Sequence, residues 1–274
     1  MHYRRAIFLS KRRTQGLKML KGGVYVFLLF IFLLVVSTYV IFLDKLQIGN
    51  IVFRGLENIE EGEIRKNVEA LLKERLFFIF PKSNVFLAGG EEIENRLRKT
   101  FPRIDFIDIN KDFFPPALFL DIKERSLWAI WCRVYSELAE ECYYMDEEGI
   151  IFGRSPQFSG TLITKIKDFS STTSSLLSSP LLARELHSIK VFKEGENAFQ
   201  ELRGLQFMFD ERNRDSFEIE TLEGWRVILD SDADPEESLA NLMLSLREQI
   251  KEQRIKLDYI DLRLGNKIFY KFRD

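Results

Sequence analysis

Apolar and polar residues divide this chain into two regimes. From Val24 to Leu43 it reads VYVFLLFIFLLVVSTYVIFL without a charge. About 20 such residues make roughly 30 Å of helix, the thickness of a bilayer's hydrocarbon core. A buried core helix rarely runs that long without one polar face, so residues 22–43 are expected to form a transmembrane helix. From Ile48 the pattern becomes that of a folded domain. Ile48 to Phe53 reads as a short strand closed by Arg54-Gly55. Asn58 and Gly62 can start a helix whose Ile64, Val68, Leu71, Leu72 and Leu76 share one face, stopped by Pro81. Gly89-Gly90 precede a second helix with Ile93 and Leu97 inward, ended by Phe101-Pro102. In the strand Ile104 to Asn110 the apolar phase slips between Phe106 and Ile107, which predicts a bulge or burial on both faces. After the turn Phe113 to Pro116, Leu118, Leu120 and Ile122 alternate with Phe119, Asp121 and Lys123 as a half-buried strand.

The second half opens with Tyr143 to Phe152, a hairpin with an acidic turn and Gly149 at a left-handed position. Ser170 to Pro180 is rich in Ser and Thr and reads as a mobile surface loop. A helix is expected over about Glu196 to Asp210, with Phe199, Leu202, Leu205 and Phe209 on one side. Phe217 to Thr221 and Trp225 to Asp230 form another hairpin around Glu223-Gly224. Asp234-Pro235-Glu236-Glu237 is a helix start, and Leu239, Leu242, Met243, Leu246 and Ile250 face inward behind it. Leu257 to Arg263, the turn Leu264-Gly265-Asn266 and Lys267 to Phe272 close the chain, so its last element is a strand. With the sequence closing at Asp274, no covering element is expected after it. The fold class is therefore α+β, in 274 residues that suffice for one or two domains.

Charge orients the span. Arg4, Arg5, Lys11, Arg12, Arg13, Lys18 and Lys21 precede it, with no acidic residue among them, so the N-terminus is expected in the cytoplasm. The apolar stretch is full length and runs into Val40 to Lys45, where no small-x-small cleavage site is offered, so it is expected to stay as an anchor. Seven of the 40 basic residues lie in the tail, which leaves about 33 against 42 acidic residues outside. An external part of net charge about −9 is a poor match for nucleic acid, which requires a basic face.

The only cysteines, Cys132 and Cys142, both follow the span. Outside the cytoplasm a pair is read first as a bridge at the mouth of a hairpin, with RVYSELAEE as its loop. The other reading is two free thiols in an organism that does not oxidise its exterior. His2 and His187 are the only histidines, and His187 reads as a helix-end residue. No HExxH, CxxC, glycine-rich phosphate loop or G-x-S-x-G elbow occurs. Asp146-Glu147-Glu148 reads as a solvated turn, not a calcium or acid–base site. No cofactor or small-molecule substrate is expected, and the catalytic inventory argues against an enzyme.

The strand–helix–helix–strand–strand order after a membrane helix resembles the POTRA domain. Its marks are Ile51 to Leu56, Phe101 to Ile104, and Pro116 to Leu118 with Ile122 to Arg125. With Ser126 to Ala129, Tyr144 to Phe152 and Tyr259 to Arg263 in succession, the external part resembles the bacterial cell-division family FtsQ/DivIB over roughly Ile48 to Phe272. The resemblance implies a basic tail at 1–21, an anchor at 22–43 in the lipid bilayer, a POTRA-like domain at 48–124, and a mixed α/β domain at 125–274. It implies a non-enzymatic divisome scaffold in the plasma membrane at the septum, binding FtsB-like and FtsL-like proteins and helping control septal peptidoglycan synthesis. The partner edge it implies comprises Tyr259, Asp261, Arg263, Leu264, Lys267, Phe269, Tyr270 and Phe272, which would take a partner strand, with Arg263 available to a partner carboxylate. Many relatives carry an aromatic where this chain has Leu264, and its turn is a residue shorter. The alternative is a POTRA-bearing envelope assembly or transport component.

Overall fold

The computed structural model describes residues 24–136, 139–156, 160, 163–169, 175–210, 213, 215–265 and 267–273. The basic tail, residues 22–23, residues 170–174 of the Ser/Thr-rich segment and Asn266 lie outside them. Helix α1, Val24–Ile41, is one helix near the N-terminus long and apolar enough to cross a membrane. It ends two residues before the expected Leu43. The amides of Asn84 (Nδ2, 2.9 Å) and Gln47 (Nε2, 3.1 Å) both donate to the Ile41 carbonyl, satisfying an acceptor that the helix end exposes.

The remainder is mixed α+β and separates into two units. One runs to Thr100 and includes Phe106–Lys123; the other comprises Phe101–Asp105 and the chain from Glu124 onward. In the first, β1 (Asn50–Arg54), α2 (Glu61–Lys73), a two-residue-per-strand hairpin β2 (Arg75–Leu76) and β3 (Phe80–Pro81), and α3 (Gly90–Thr100) lead to β4 (Ile104–Phe113) and β5 (Pro116–Glu124). The sheet order is β1-β5-β4, with β1 parallel to β5. Ile64, Val68, Leu71 and Leu72 of α2, Ile93 and Leu97 of α3, and Leu118, Leu120 and Ile122 of β5 are buried. Leu76 was expected on the α2 face but lies in the small hairpin, because the helix stops at Lys73. In β4, Ile104 and Ile107 are both buried and Phe106 is exposed, so the inward phase shifts by one residue between them. Gly55 sits at φ +75°, and a Cβ there would fall 2.1 Å from the Ile122 carbonyl oxygen, so only glycine fits this close approach.

The second unit is a nine-stranded mixed sheet. Its strands are β6 (Ala129–Ser136), β7 (Ala139–Met145), β8 (Ile151–Arg154), β9 (Lys165–Asp168), β10 (Gln206–Phe209), β11 (Ser216–Glu220), β12 (Arg226–Asp230), β13 (Leu257–Leu264) and β14 (Lys267–Phe272). Their spatial order is β14-β13-β12-β11-β10-β9-β6-β7-β8. Helices α4 (Ala183–Ala198) and α5 (Pro235–Ser245) connect the parallel pairs β9/β10 and β12/β13. Ile189 and Phe192 of α4, and Leu242 and Met243 of α5, pack with Trp131, Ile166, Phe207, Ile219, Trp225, Val227 and Ile260 in one core. The Asp234 carboxylate accepts from the Glu237 amide at 2.8 Å, the N-cap that the sequence predicts for α5.

The helix expected over Glu196–Asp210 is corrected. The helix occupies Ala183–Ala198, and Gln206–Phe209 is a strand. The apolar residues there fit two periods at once. Gly204 at φ +66° breaks the helical one, and burial of Phe207 and Phe209 satisfies the alternating one. His187 consequently lies inside α4 and not at a helix end, with Nε2 3.3 Å from Glu236 Oε1. Of the Ser/Thr-rich segment, Leu177 and Ser178 pair through their backbones with Ile151 at the start of β8.

Candidate functional site

The sheet's two edges are β8 and β14. β8 is four residues long, and its Ile151 already exchanges hydrogen bonds with Leu177 (2.8 Å) and Ser178 (3.1 Å). β14 is six residues long, and among the described strands only β13 pairs with it. Its register is antiparallel, with Tyr259 opposite Lys271, Ile260 opposite Tyr270 and Asp261 opposite Phe269. The Arg273 amide donates to the Lys256 carbonyl at 2.7 Å. Because amide direction alternates along an antiparallel strand, Lys271 and Phe269 direct their N–H groups to β13. Ile268, Tyr270 and Phe272 therefore direct theirs outward, as a row that no described strand meets.

Side chains at this edge sort onto two faces. Ile268 and Phe272 pack against the core under the helices, and Tyr270, 40% exposed, stands between them with its ring 5.5 Å from that of Phe272. Phe269, 51% exposed, and Lys271 occupy the opposite face beside Asp261 and Tyr259. Leu264 and Lys267 are exposed at the turn. All eight residues expected at the edge therefore lie on β13 and β14. What the sequence did not reveal is that Arg263 is bound within its own strand. Its Nε donates to Asp261 Oδ1 (3.0 Å) and its Nη2 to Oδ2 (2.7 Å). This fork holds the Asp261 carboxyl below the usual carboxylate range. A partner carboxylate would have to compete with Asp261. Lys267 and Lys271 offer the more accessible charge. The i, i+2 spacing of Asp261 and Arg263, one face of a strand, was the available signal.

Cys132 and Cys142 face each other across β6 and β7 and are joined as a disulfide, with an S–S distance of 2.05 Å. They lie within the ladder and not at the mouth of a loop, since pairing continues through Arg133–Glu141 to Ser136–Ala139. Glu140 is close enough to share an ion with the two sulfurs, but the bridge uses both thiols and Lys165 Nζ holds the carboxylate at 2.6 Å. Reduction is expected to destabilise the unit by roughly 2–3 kcal/mol, the loop-entropy value for a closed loop of about ten residues. Urea unfolding with and without reductant measures this, and equal midpoints would contradict it.

Two concavities lie elsewhere in the second unit. A groove of about 430 Å³ runs between α4 and α5, where Gly195 meets Leu239. A polar cavity of about 700 Å³ is lined by Trp128, Thr164, Lys193, Glu196 and Arg203 among others. The Lys193 ammonium lies 4.3 Å from the Trp128 ring centroid and donates to the Trp128 carbonyl, and burial lowers its pKa. No known protein family matches the chain, and no curated protein matches it by sequence.

Proposed function

We propose that this chain is a membrane-anchored scaffold of the FtsQ/DivIB type, a non-enzymatic part of the bacterial division machinery. The observation that carries the reading is the open edge of β14, whose outward Ile268, Tyr270 and Phe272 amides can accept a partner strand by β-addition. The first unit supports it. Two helices fall between β1 and β4, β1 lies parallel to the later β5, and the whole follows an apolar helix, as expected of a POTRA domain behind a membrane anchor. In this reading the N-terminus is cytoplasmic and both units are extracytoplasmic. A FtsB-like strand completes the sheet at β14, and a FtsL-like protein joins it to help control septal peptidoglycan synthesis.

The test is localisation of a fluorescent fusion at the N-terminus, which leaves β14 free. A band at midcell is expected. A uniform envelope signal would instead favour a POTRA-bearing assembly or transport component.

A further inference from the structure

The exposed aromatic residues of the first unit are not scattered. Phe77 (75% exposed), Phe78 (94%) and Ile79 form the tip of the β2–β3 hairpin, while Phe114 (80%) and Phe113 form the β4–β5 turn. Phe86, also exposed, stacks on Phe113 with ring centroids 5.1 Å apart. Among the other exposed large apolar residues described in this unit outside α1 and its exit, only Phe106 lies away from these segments.

Both segments sit at the end of the unit where the chain leaves α1. Gly49 donates to the Pro116 carbonyl, and Asn50 is in register with Ala117, so the β4–β5 turn lies beside the entry to β1. Residues 83–85 run alongside residues 46–48 through the Ile48–Ser83 (2.8 Å) and Val85–Leu46 (3.0 Å) hydrogen bonds. Asn84 also accepts from the Phe86 amide and donates to the last carbonyl of α1, so Phe86 is tied to the helix end itself. Ile79 is four residues from Ser83, a reach of at most roughly 14 Å. Phe77 and Phe78 hold left-handed backbone conformations (φ 49° and 63°) that bulky residues seldom adopt, and both residues are exposed. The nearby Lys82 is held by Glu74 (3.0 Å) and Glu92 (2.5 Å).

We propose that this aromatic end docks into the headgroup zone of the bilayer that α1 enters, setting the first unit directly on the membrane surface. The inference rests on the reading that α1 spans that bilayer. Aromatic side chains favour this zone because their rings are apolar enough to leave water without needing the hydrocarbon core. The Asn84 and Gln47 contacts with Ile41 remove the slack a flexible linker would give, so helix insertion brings both segments to the interface.

The experiment uses the full chain in phosphatidylcholine vesicles, with one nitroxide per molecule. The native cysteines are bridged, so Phe78→Cys, Lys99→Cys and Phe32→Cys each supply a single labelling site. Power saturation compares accessibility to oxygen with accessibility to a water-soluble nickel chelate. The depth parameter is expected to be positive at position 32, negative at position 99 on the last turn of α3, and clearly between the two at position 78. A lipid-buried label at 32 with a water-exposed label at 78 overturns the docking and leaves the anchor standing. Water exposure at both 32 and 78 overturns the anchor, and the docking with it.

Discussion

If a FtsB-like strand adds to β14 as proposed, Tyr270→Pro is expected to weaken its binding about 100-fold, or about 2.7 kcal/mol, while leaving the melting temperature unchanged. The Tyr270 amide points away from β13, so proline costs the sheet none of its own ladder bonds. It removes a donor at the middle of the open edge, and its ring obstructs the close approach that neighbouring bonds require. Phe269→Pro is the contrasting variant. That amide faces β13, so the change should break the β13–β14 ladder and lower the melting temperature as well. Titration calorimetry with the partner's extracytoplasmic segment, run beside thermal unfolding of both variants, gives the comparison. If Tyr270→Pro binds like the unaltered chain, strand addition at this edge is wrong. Binding would then lie on the first unit or on α1.

Arg125→Ala should destabilise the second unit by roughly 3–5 kcal/mol, the usual loss when a buried charge is stripped of its partner. The Asp146 side chain is almost entirely buried, with Oδ2 2.5 Å from Arg125 Nη1 and Oδ1 accepting from the Ile150 amide at 2.7 Å. Arg125 also approaches Asp105 at 3.3 Å, and its own amide donates to the Arg103 carbonyl. Removing the guanidinium leaves a carboxylate buried and uncompensated. The double variant Arg125→Ala with Asp146→Asn should recover part of the loss, because the amide oxygen still caps Ile150 without a charge. Denaturant midpoints of the single and double variants decide the matter. Equal losses would assign the effect to packing of the arginine stem and not to the charge.

Where local pattern and tertiary position agree, the chain is legible in one dimension. α1 needs only its uncharged length, and α5 needs only Asp234-Pro235 and its apolar spacing. β5 and β12 show clean alternation because one face of each packs and the other does not. The misplaced helix shows the limit of such reading. Between Glu196 and Asp210 the apolar residues satisfy two periods, and only pairing of β10 with β9 and β11 selects the strand. The candidate site was legible as two strands from their residue pattern, and as an edge only through the family resemblance. Edge status follows from the order of all nine strands, including the insertion of β9 between β6 and β10, which no local pattern specifies. The Asp261–Arg263 fork was likewise hidden, since adjacent charges on a strand face can pair with each other or with something else.

The parallel pairing of β12 with β13 through α5 has a consequence for how the molecule is made. In a chain emerging from its N-terminus, β12 arrives as soon as the β11–β12 hairpin closes, but its neighbour must wait for α5 and the residues behind it. During that interval the growing sheet ends at β12, a short apolar strand with its outer backbone unoccupied. Any extended segment nearby can compete for that place before β13 arrives. Vectorial folding thus exposes at β12, transiently and two strands early, the same kind of edge that β14 presents among the described strands.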